Sequence, residues 1–478
     1  MKVFRRALYL THRWLGIGMG LLMASWCLSG IVMLWHTWPQ PDEQALSHIP
    51  AAIQWPPPLL DLHDLNKEKR FQAFRVSMAG REPVLTLYPE SGHAFALDLR
   101  TGRAGRIPPA DAASSAARYA KATGAQGLPL YDGLTTDDQW VLDTHGRDDG
   151  FYRFVFPEAN HTQVYVSSVT GDVMQATTRT TRLWAWAGAI PHWLYPAVLR
   201  KHPFLWQQVV IVLSGTGVFL TVTGIWVGIL RLRRRPPFTP YRGWQFLHHI
   251  SGTVFGLFAL LWVTTGFLTM SPGGLFQSDP NAIRTLRVTG TMTGANIQTL
   301  LTRLATAAPP GWIGVKTALL GGHVFIQAET PFGPQRLDET LSPAPLTQEQ
   351  LTRLLRPAGL LKTAEDLTFL TSPDAYYFSR PTHKRPLPVW RAQATDGTLI
   401  YLDGPSGMVQ AILDQPARQS RWLVYGFHDL DFWPWLRASL THWAIALPLL
   451  CGVACVFLSG VLIGLQRLRR KLRRVGSR

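Results

Sequence analysis

Cysteine is scarce in this 478-residue chain: there are three, Cys27, Cys451 and Cys455. All three fall inside long apolar runs, so the hydrophilic segments hold none and have no disulfide framework available to them. Cys451 and Cys455 stand four apart on one helix face, where thiols ordinarily serve as small packing residues. Acidic residues are missing from large parts of the chain too. Four runs, about 14–35, 206–230, 247–270 and 440–465, contain no Asp, Glu or Lys. Each is long enough to cross a hydrocarbon core of roughly 30 Å as a helix. The first is too long for the apolar core of a signal peptide, and no small-residue cleavage pattern follows "WHTWPQP", so a retained helix is expected. The chain also lacks a Ser-His-Asp or Cys-His spacing, a zinc cluster, a Gly-rich phosphate loop and a Rossmann or flavin fingerprint. Those absences exclude the commonest hydrolytic, zinc and nucleotide-binding chemistries.

The charge that is present is segregated. Sixteen of the 47 Lys and Arg residues flank the four runs, from Lys2, Arg5, Arg6 and Arg13 to Arg478, with no acidic residue among them. The two long intervening segments hold the other 31 together with all 30 acidic residues. By the positive-inside rule both termini and the short middle loop are expected in the cytoplasm, with the two long segments exported. The net charge of +17 is thereby explained by topology, and no nucleic-acid partner is expected. The expected layout is a cytoplasmic N-terminus and first helix in 1–36, an exported domain in 37–205 and a second helix in 206–230. A cytoplasmic loop in 231–246 and a third helix in 247–270 follow. A second exported domain in 271–439, a fourth helix in 440–465 and a basic tail in 466–478 complete it.

A shift of 236 positions aligns the two halves without gaps at several separated places. His12, Gly16, Gly20, Trp26 and Gly30 fall on His248, Gly252, Gly256, Trp262 and Gly266; Tyr165 and Gly171 fall on Tyr401 and Gly407. His192 falls on His428, and Gly224 and Gly228 fall on Gly460 and Gly464. The chain reads as a helix–ectodomain–helix unit occurring twice in parallel, which implies a pseudo-two-fold axis along the membrane normal. In the exported segments "FQAFRVSM", "PVLTLY", "HVFIQAE" and "TLIYLD" alternate as strands do. "PADAASSAARYAKATG" and "LTQEQLTRLLRPAG" read as helices closed by glycine. "VYVSSVTGDVMQ" and "IYLDGPSGMVQ" read as strand pairs with a tight glycine turn. Both segments are expected to be α+β, with proline-rich loops at "WPPPLL" and "RPTHKRPLPVW".

Of fifteen histidines, the repeat singles out four. His12 and His248 stand at the cytoplasmic ends of the first and third helices. His192 and His428 lie just outside the second and fourth on the exported side, among Trp184, Trp186, Trp193, Trp433 and Trp435 of an aromatic belt. One membrane-edge histidine is ordinarily an interfacial residue, but two symmetric pairs at opposite faces invite a shared task. A haem iron takes axial ligands on both sides of a flat ring, and facing helices of a bundle supply such ligands. Gly16 and Gly20 follow His12 on its own helix face, as Gly252 and Gly256 follow His248. They leave a groove where a porphyrin could lie, or equally a surface for close helix packing. In the doublet "FLHHISG", His248 aligns with His12, while His249 aligns with the membrane-edge cation Arg13 and is a second candidate, or a propionate contact. His36 and His442 do not share in the repeat and rank behind His192 and His428. His202 reads as interfacial. Between His192 and the second helix the chain must bend back, helped by Pro191, Pro196 and Pro203.

At "THRWLGIGMG", "LHHISGTVFG", "PHWLY", "FHDLDF" and the segments ending "TGDVMQ" and "SGMVQ", the chain resembles the PepSY-associated transmembrane proteins over nearly its whole length. The resemblance implies a four-transmembrane-helix bundle carrying two α+β PepSY-like periplasmic domains in the bacterial inner membrane. It also implies a di-haem reductase acting on siderophore-bound ferric iron, with His12, His192, His248 and His428 as the membrane histidines. Members of the family often have a glycine-rich stretch after the last of these, where this chain reads "HDLDFWPW". The expectation is therefore a transmembrane ferric-siderophore reductase with two haem b groups, its iron ligated by His12, His248, His192 and His428. No C-x-x-C-H motif for covalent haem attachment is present. The expected partners are a ferric siderophore or other ferric chelate, a quinol or separate cytoplasmic reductase as donor, and the lipid bilayer. The alternatives are a non-redox PepSY protein that binds peptides or regulates an envelope protease, and an iron-uptake permease component.

Overall fold

The computed structural model describes residues 2–47, 49–56, 67–91, 93–141, 150–278, 290–357, 359–361, 363–380 and 384–475. The prolines of "WPPPLL", the start of "PTHKRPLPVW" and the end of the basic tail lie partly outside these residues. The chain divides into two units.

The first unit comprises residues 1–38, 183–277 and 416–478. It contains four helices long and apolar enough to cross a membrane: Lys2–Met33, Pro203–Arg231, Gly243–Leu268 and Ser439–Val475. This is a multi-pass membrane protein. The helices are apolar on nearly every side, and large side chains such as Leu21, Val212 and Leu257 stay open to the surroundings, 74%, 63% and 70% exposed. In water that arrangement is unfavourable; in hydrocarbon it costs nothing, while each helix satisfies its own backbone hydrogen bonds. The second helix opens on Pro203 at its first turn, where a missing N–H is harmless. The first and third helices each pack against both the second and the fourth, which closes a four-membered ring with the first and third at opposite corners. Glycine permits the closest approaches: a Cβ on Gly217 would lie 2.9 Å from Met23 Sδ, and one on Gly452 would overlap the Phe255 ring.

The first helix begins near the N-terminus, well ahead of the expected start at 14. A larger difference concerns 183–205 and 416–438. The sequence reading places these with the exported domains, but they fold onto the helix bundle. Short helices at Ala189–Trp193 and Ala197–Arg200 do bend the chain back before Pro203. The reversal falls at Leu194, held in the left-handed region at φ 49°, and at extended Pro196. Phe427–Asp429 is the corresponding short helix, closed by Leu430 at φ 52°. A left-handed leucine costs about 1 kcal/mol or more and persists where surrounding contacts over-determine it.

The second unit comprises residues 39–182 and 278–415. Its first segment supplies β1 (Arg70–Ala79), β2 (Glu82–Pro89), β3 (Phe95–Asp98), β4 (Leu130–Thr135), β5 (Phe151–Val155), β6 (Gln163–Ser167) and β7 (Val173–Thr177). The second supplies β8 (Met292–Thr293), β9 (Gly314–Leu320), β10 (His323–Thr330), β11 (Gly333–Leu337), β12 (Leu367–Leu370), β13 (Val389–Gln393), β14 (Leu399–Asp403) and β15 (Val409–Leu413). Where the sequence suggests two separate domains, one sheet joins them. It runs β11-β10-β9-β1-β2-β3, with β8 beside β1. The antiparallel pair β1–β9 forms the seam, with Arg75 opposite Lys316 and Val76 opposite Val315. Each segment alone would leave a bare sheet edge, and pairing the two edges removes both. Phe71, Phe74, Leu85, Leu97, Ile297, Leu301, Val315 and Ile326 from both segments fill one core over this sheet.

Each segment adds a four-stranded sheet, β4-β5-β6-β7 and β12-β13-β14-β15. The expected glycine turns are present, with Gly171 at φ 72° and Gly407 at φ 73°. Each of these sheets encloses a tyrosine bound to a carboxylate. Tyr165 donates to Asp138 at 2.7 Å, and Arg153 meets the same carboxylate at 3.2 Å. Tyr401 donates to Asp374 at 2.8 Å, with Arg391 at 3.0 Å. Burial first, then the hydrogen bond to the neighbouring carboxylate and its charge, pushes both phenols well above the ordinary tyrosine range, so they stay neutral donors. The helix over Pro109–Thr123 ends on left-handed Gly124, as the sequence suggests. The helix Gln348–Leu355 stops earlier than expected, and Gly359 turns the chain beyond it.

Candidate functional site

His12 and His248 come from the helices at opposite corners of the ring, and their imidazole centroids lie 6.3 Å apart. His12 Nδ1 points to Leu220 O at 3.3 Å, and His248 Nδ1 to Val456 O at 2.9 Å. A carbonyl only accepts, so Nδ1 carries the proton in both rings and Nε2 keeps a lone pair. Thr223 and Ser459 donate their hydroxyls to those same carbonyls, at 2.8 and 3.0 Å. Glycine makes room for the rings. A Cβ on Gly224 would stand 2.7 Å from His12 Cε1, and one on Gly460 would stand 3.2 Å from His248 Cε1.

The second pair repeats this plan at the other end of the bundle. His192 and His428 project from the short helices described above, again with centroids 6.3 Å apart. His192 Nδ1 donates to Trp26 O at 3.0 Å, and the His428 ring pairs with the backbone of Trp262, its Nδ1 3.0 Å from Thr265 Oγ1. Gly30 and Gly266 lie under the two rings, at 3.3 and 3.6 Å from would-be Cβ to Cε1. Leu220, Thr223 and Gly224 stand to His12 as Val456, Ser459 and Gly460 stand to His248, each 236 residues on. His12 and Ser29, which lies beside His192, are separated along the first helix by about 25 Å.

The segments that carry His192 and His428 are fixed by different means. Beside His192, a Cβ on Gly188 would lie 3.0 Å from Val32 Cγ1 and 3.2 Å from His36 O, so glycine lets this short helix rest closely on the first long one. Trp206 Nε1 donates to Trp193 O at 2.9 Å, and the buried Arg200 lies over Trp38 and Tyr195 at 5.2 and 4.9 Å. Beside His428 a buried ion pair does this work. Arg421 and Asp431 meet at 2.7 Å with side chains 7% and 9% exposed, and Arg421 Nη2 also donates to Asp431 O at 3.0 Å. Asp431 belongs to "HDLDFWPW", so this departure from a glycine-rich stretch supplies the partner of a buried cation. Trp262 Nε1 donates to His428 O at 3.0 Å and ties the loop to the third helix.

Two imidazoles that bind one metal through Nε2, at about 2 Å each, place their ring centroids about 6 Å apart. Both pairs have that separation. Among the described residues, no protein hydrogen bond reaches Nε2 of any of the four. No three of His, Cys, Asp or Glu gather into a cage for a bare ion among the described residues. The donor set of each site is thus two neutral imidazoles, which fits a group that brings its own equatorial ligands, as haem does.

The other sequence candidates separate clearly. His249 turns away from the pair: its Nε2 donates to Gly228 O at 3.0 Å, and its ring meets Tyr241 edge-on at 5.3 Å. Arg13 sits half-buried beside His12. His36 stacks on Trp184 at 4.3 Å and 10°, while His442 lies in the first turn of the fourth helix. His202 is exposed at the start of the second. A Cβ on Gly16 or Gly252 would meet one atom, Leu220 Cδ1 or Val456 Cγ1, at 3.9 Å. Gly20 and Gly256 are closer to neighbours, at 3.4 Å from Val461 and 3.2 Å from Ile225. Space therefore remains at the first pair of glycines, and helix packing claims the second. Gly224 and Gly460 lie in the sequence repeat, but their role depends on the rings they face, and nothing local in the sequence marks the carbonyl and hydroxyl partners.

A family model described as the PepSY-associated TM region matches residues 9–467. The chain belongs to that family. The match takes in all four histidines of the two pairs and nearly the full length of the PepSY-associated chain. A search of curated proteins finds no match.

Proposed function

We propose that this protein is a b-type transmembrane cytochrome that delivers electrons to ferric iron held in a chelate, a siderophore above all, on the exported side of the bacterial inner membrane. The observation that carries the reading is the pair of facing imidazoles at 6.3 Å, present at both ends of one helix bundle. Bound between each pair, haem would supply reversible one-electron storage, linking a quinol or reductase on the cytoplasmic side to the ferric chelate.

The chain's own part is to hold four imidazoles in the Nδ1–H tautomer, so that each Nε2 is a ready donor. Gly224, Gly460, Gly30 and Gly266 admit the rings, and the apolar helices keep water away from them. Sixteen basic residues gathered at one end of the four helices and in the loop between the second and third support a cytoplasmic position for His12 and His248 and an exported second unit. The contacts that recur at a spacing of 236 residues support two copies of one helix–segment–helix unit about a pseudo-two-fold axis. Reduction releases iron because hard oxygen donors hold Fe(III) far better than Fe(II).

Stopped-flow mixing of dithionite-reduced protein with ferric and gallium-loaded siderophore tests the proposal. Gallium matches the charge and size of Fe(III) but accepts no electron. Oxidation by the ferric chelate alone supports the reading. Oxidation by neither contradicts it and favours a non-redox role such as peptide binding, while oxidation by both means that the iron is not the acceptor.

A further inference from the structure

Three cations line up on one face of the sheet that joins the two segments. Arg75 on β1 stands opposite Lys316 on β9, Lys316 opposite Gln327 on β10, and Gln327 opposite Arg336 on β11. Directly opposed residues of antiparallel strands share a face. Two of these cations have carboxylate partners: Arg75 meets Asp172, and Lys316 meets Glu329. Arg336 has none among the described residues, although it is the one fully buried cation of the three, 7% exposed.

What holds Arg336 is neutral. Its Nε donates to Ser406 O at 2.9 Å and its Nη1 to Ala344 O at 2.7 Å, and the guanidinium lies over the Phe325 ring at 3.5 Å. Nη2 is buried with no hydrogen-bond partner among the described residues. The acids of the adjoining turns are committed there, Asp338 to Thr340 and Ser342, and Asp403 to Ser406. Burial pulls the guanidinium down from its ordinary value to about 10, so it stays charged at neutral pH. A buried charge without a counter-charge is costly, and the fold does not demand one here. The bridge Leu337–Pro343 that follows Arg336 has a counterpart in the first segment, Leu97–Ala104, and the residue ahead of Leu97 is the buried Ala96. One edge of the sheet thus carries a methyl group where the other carries a cation.

Arg336 lines an open hollow of about 520 Å³ together with Leu337, Pro343, Pro345, Leu346 and Pro405, and no acidic residue lines it. We propose that this hollow is a binding site for an organic carboxylate with an apolar body. The carboxylate supplies the counter-charge that Arg336 lacks, since its two oxygens match the planar guanidinium, and the prolines and leucines cover the apolar part. The chain end of an apolar peptide and a free carboxylate of an iron chelate share this chemistry. The site lies wholly within the second unit and does not depend on the haem reading.

Fluorine NMR of para-fluorobenzoate mixed with the purified full-length protein tests this, with para-fluorobenzamide as the uncharged probe of similar shape. The expected result is saturable broadening of the acid resonance and none of the amide resonance. Arg336→Met and Pro345→Glu are each expected to weaken binding about ten-fold or more, as loss of a charged hydrogen-bonded contact does. Pro345 is exposed at the rim. A glutamate there offers Arg336 a carboxylate of the chain's own and leaves the bonds to Ser406 and Ala344 in place, so Pro345→Glu decides the matter if Arg336→Met does not fold. Displacement of the probe by N-acetyl-leucine marks a peptide chain end as the source of the carboxylate, and displacement by ferric citrate marks a chelate. Acid and amide binding alike, no saturable binding of the acid, displacement by neither competitor, or unchanged binding in folded Pro345→Glu would overturn the proposal and leave Arg336 as a clip between two turns.

Discussion

His192 and His428 lie in distant parts of the chain, yet their rings approach to 6.3 Å between centroids. Neither belongs to a long helix. Each is carried by a short helix that closes on a left-handed leucine and rests on a glycine of a long helix, Gly30 or Gly266. The site is therefore assembled by two surface segments pressed onto the bundle, whereas His12 and His248 project from the bundle itself. That distinction governs how each end responds to mutation.

The doublet at His248 and His249 gives a first prediction. Only His248 faces His12, because His249 Nε2 is engaged by Gly228 O. His248→Ala should remove one of two haem components from the absorption spectrum, and His249→Ala should retain both. Spectra of the two purified variants decide it, and the opposite pattern would reverse the assignment.

Gly224 and Gly228 give a second. A Cβ at Gly224 would stand 2.7 Å from His12 Cε1, while one at Gly228 would meet nothing within 4 Å. Gly224→Ala should therefore displace the His12 ring and weaken or abolish haem binding at that end. Gly228→Ala should bind as wild type does. Haem quantification per chain separates the two; equal occupancy in both would show that the His12 ring has room to shift.

How much of this was legible in the sequence follows from what each feature depends on. Apolar runs and flanking cations depend on composition, so the four helices could be read directly. The histidine pairs were visible because a repeat at one offset marks equivalent positions before any contact is known. The seam between β1 and β9 was not, since strand pairing across segments leaves no local trace. The departure of 183–205 and 416–438 from their expected domains was hidden for a similar reason: Trp193, Arg200 and Asp431 find their partners only in three dimensions. Thr265 and Ser459 look like ordinary threonine and serine in apolar helices until the ring nitrogen beside them is seen.

The buried pair Arg421–Asp431 supplies a third prediction, on stability. Removing one partner leaves an uncompensated buried charge, which typically costs about 3–5 kcal/mol. Arg421→Met should lower the unfolding temperature of the detergent-solubilised protein markedly and loosen the His428 loop. Arg421→Met combined with Asp431→Leu should recover much of the loss. A double variant no more stable than the single one would mean that the hydrogen bond from Arg421 to Asp431 O, and not the charge pair, holds the loop.

Topology is the fourth. Reporter fusions after Gly102 and after Asp338 should be active only outside the cytoplasm, and fusions after Pro237 only inside. The reasoning is the sixteen flanking cations set against two near-neutral segments. An exported Pro237 would invert the orientation and place His12 and His248 on the side of the ferric chelate.

Two imidazole pairs at 6.3 Å, each holding a haem, would give two haems per chain. A reduced-minus-oxidised spectrum of the purified full-length chain, with pyridine haemochrome quantification, measures this most directly. The expected result is a Soret and α-band pattern of b type and two haems per chain, released by acid acetone because no covalent attachment motif exists. A colourless protein, prepared from cells supplied with haem precursor, would contradict it.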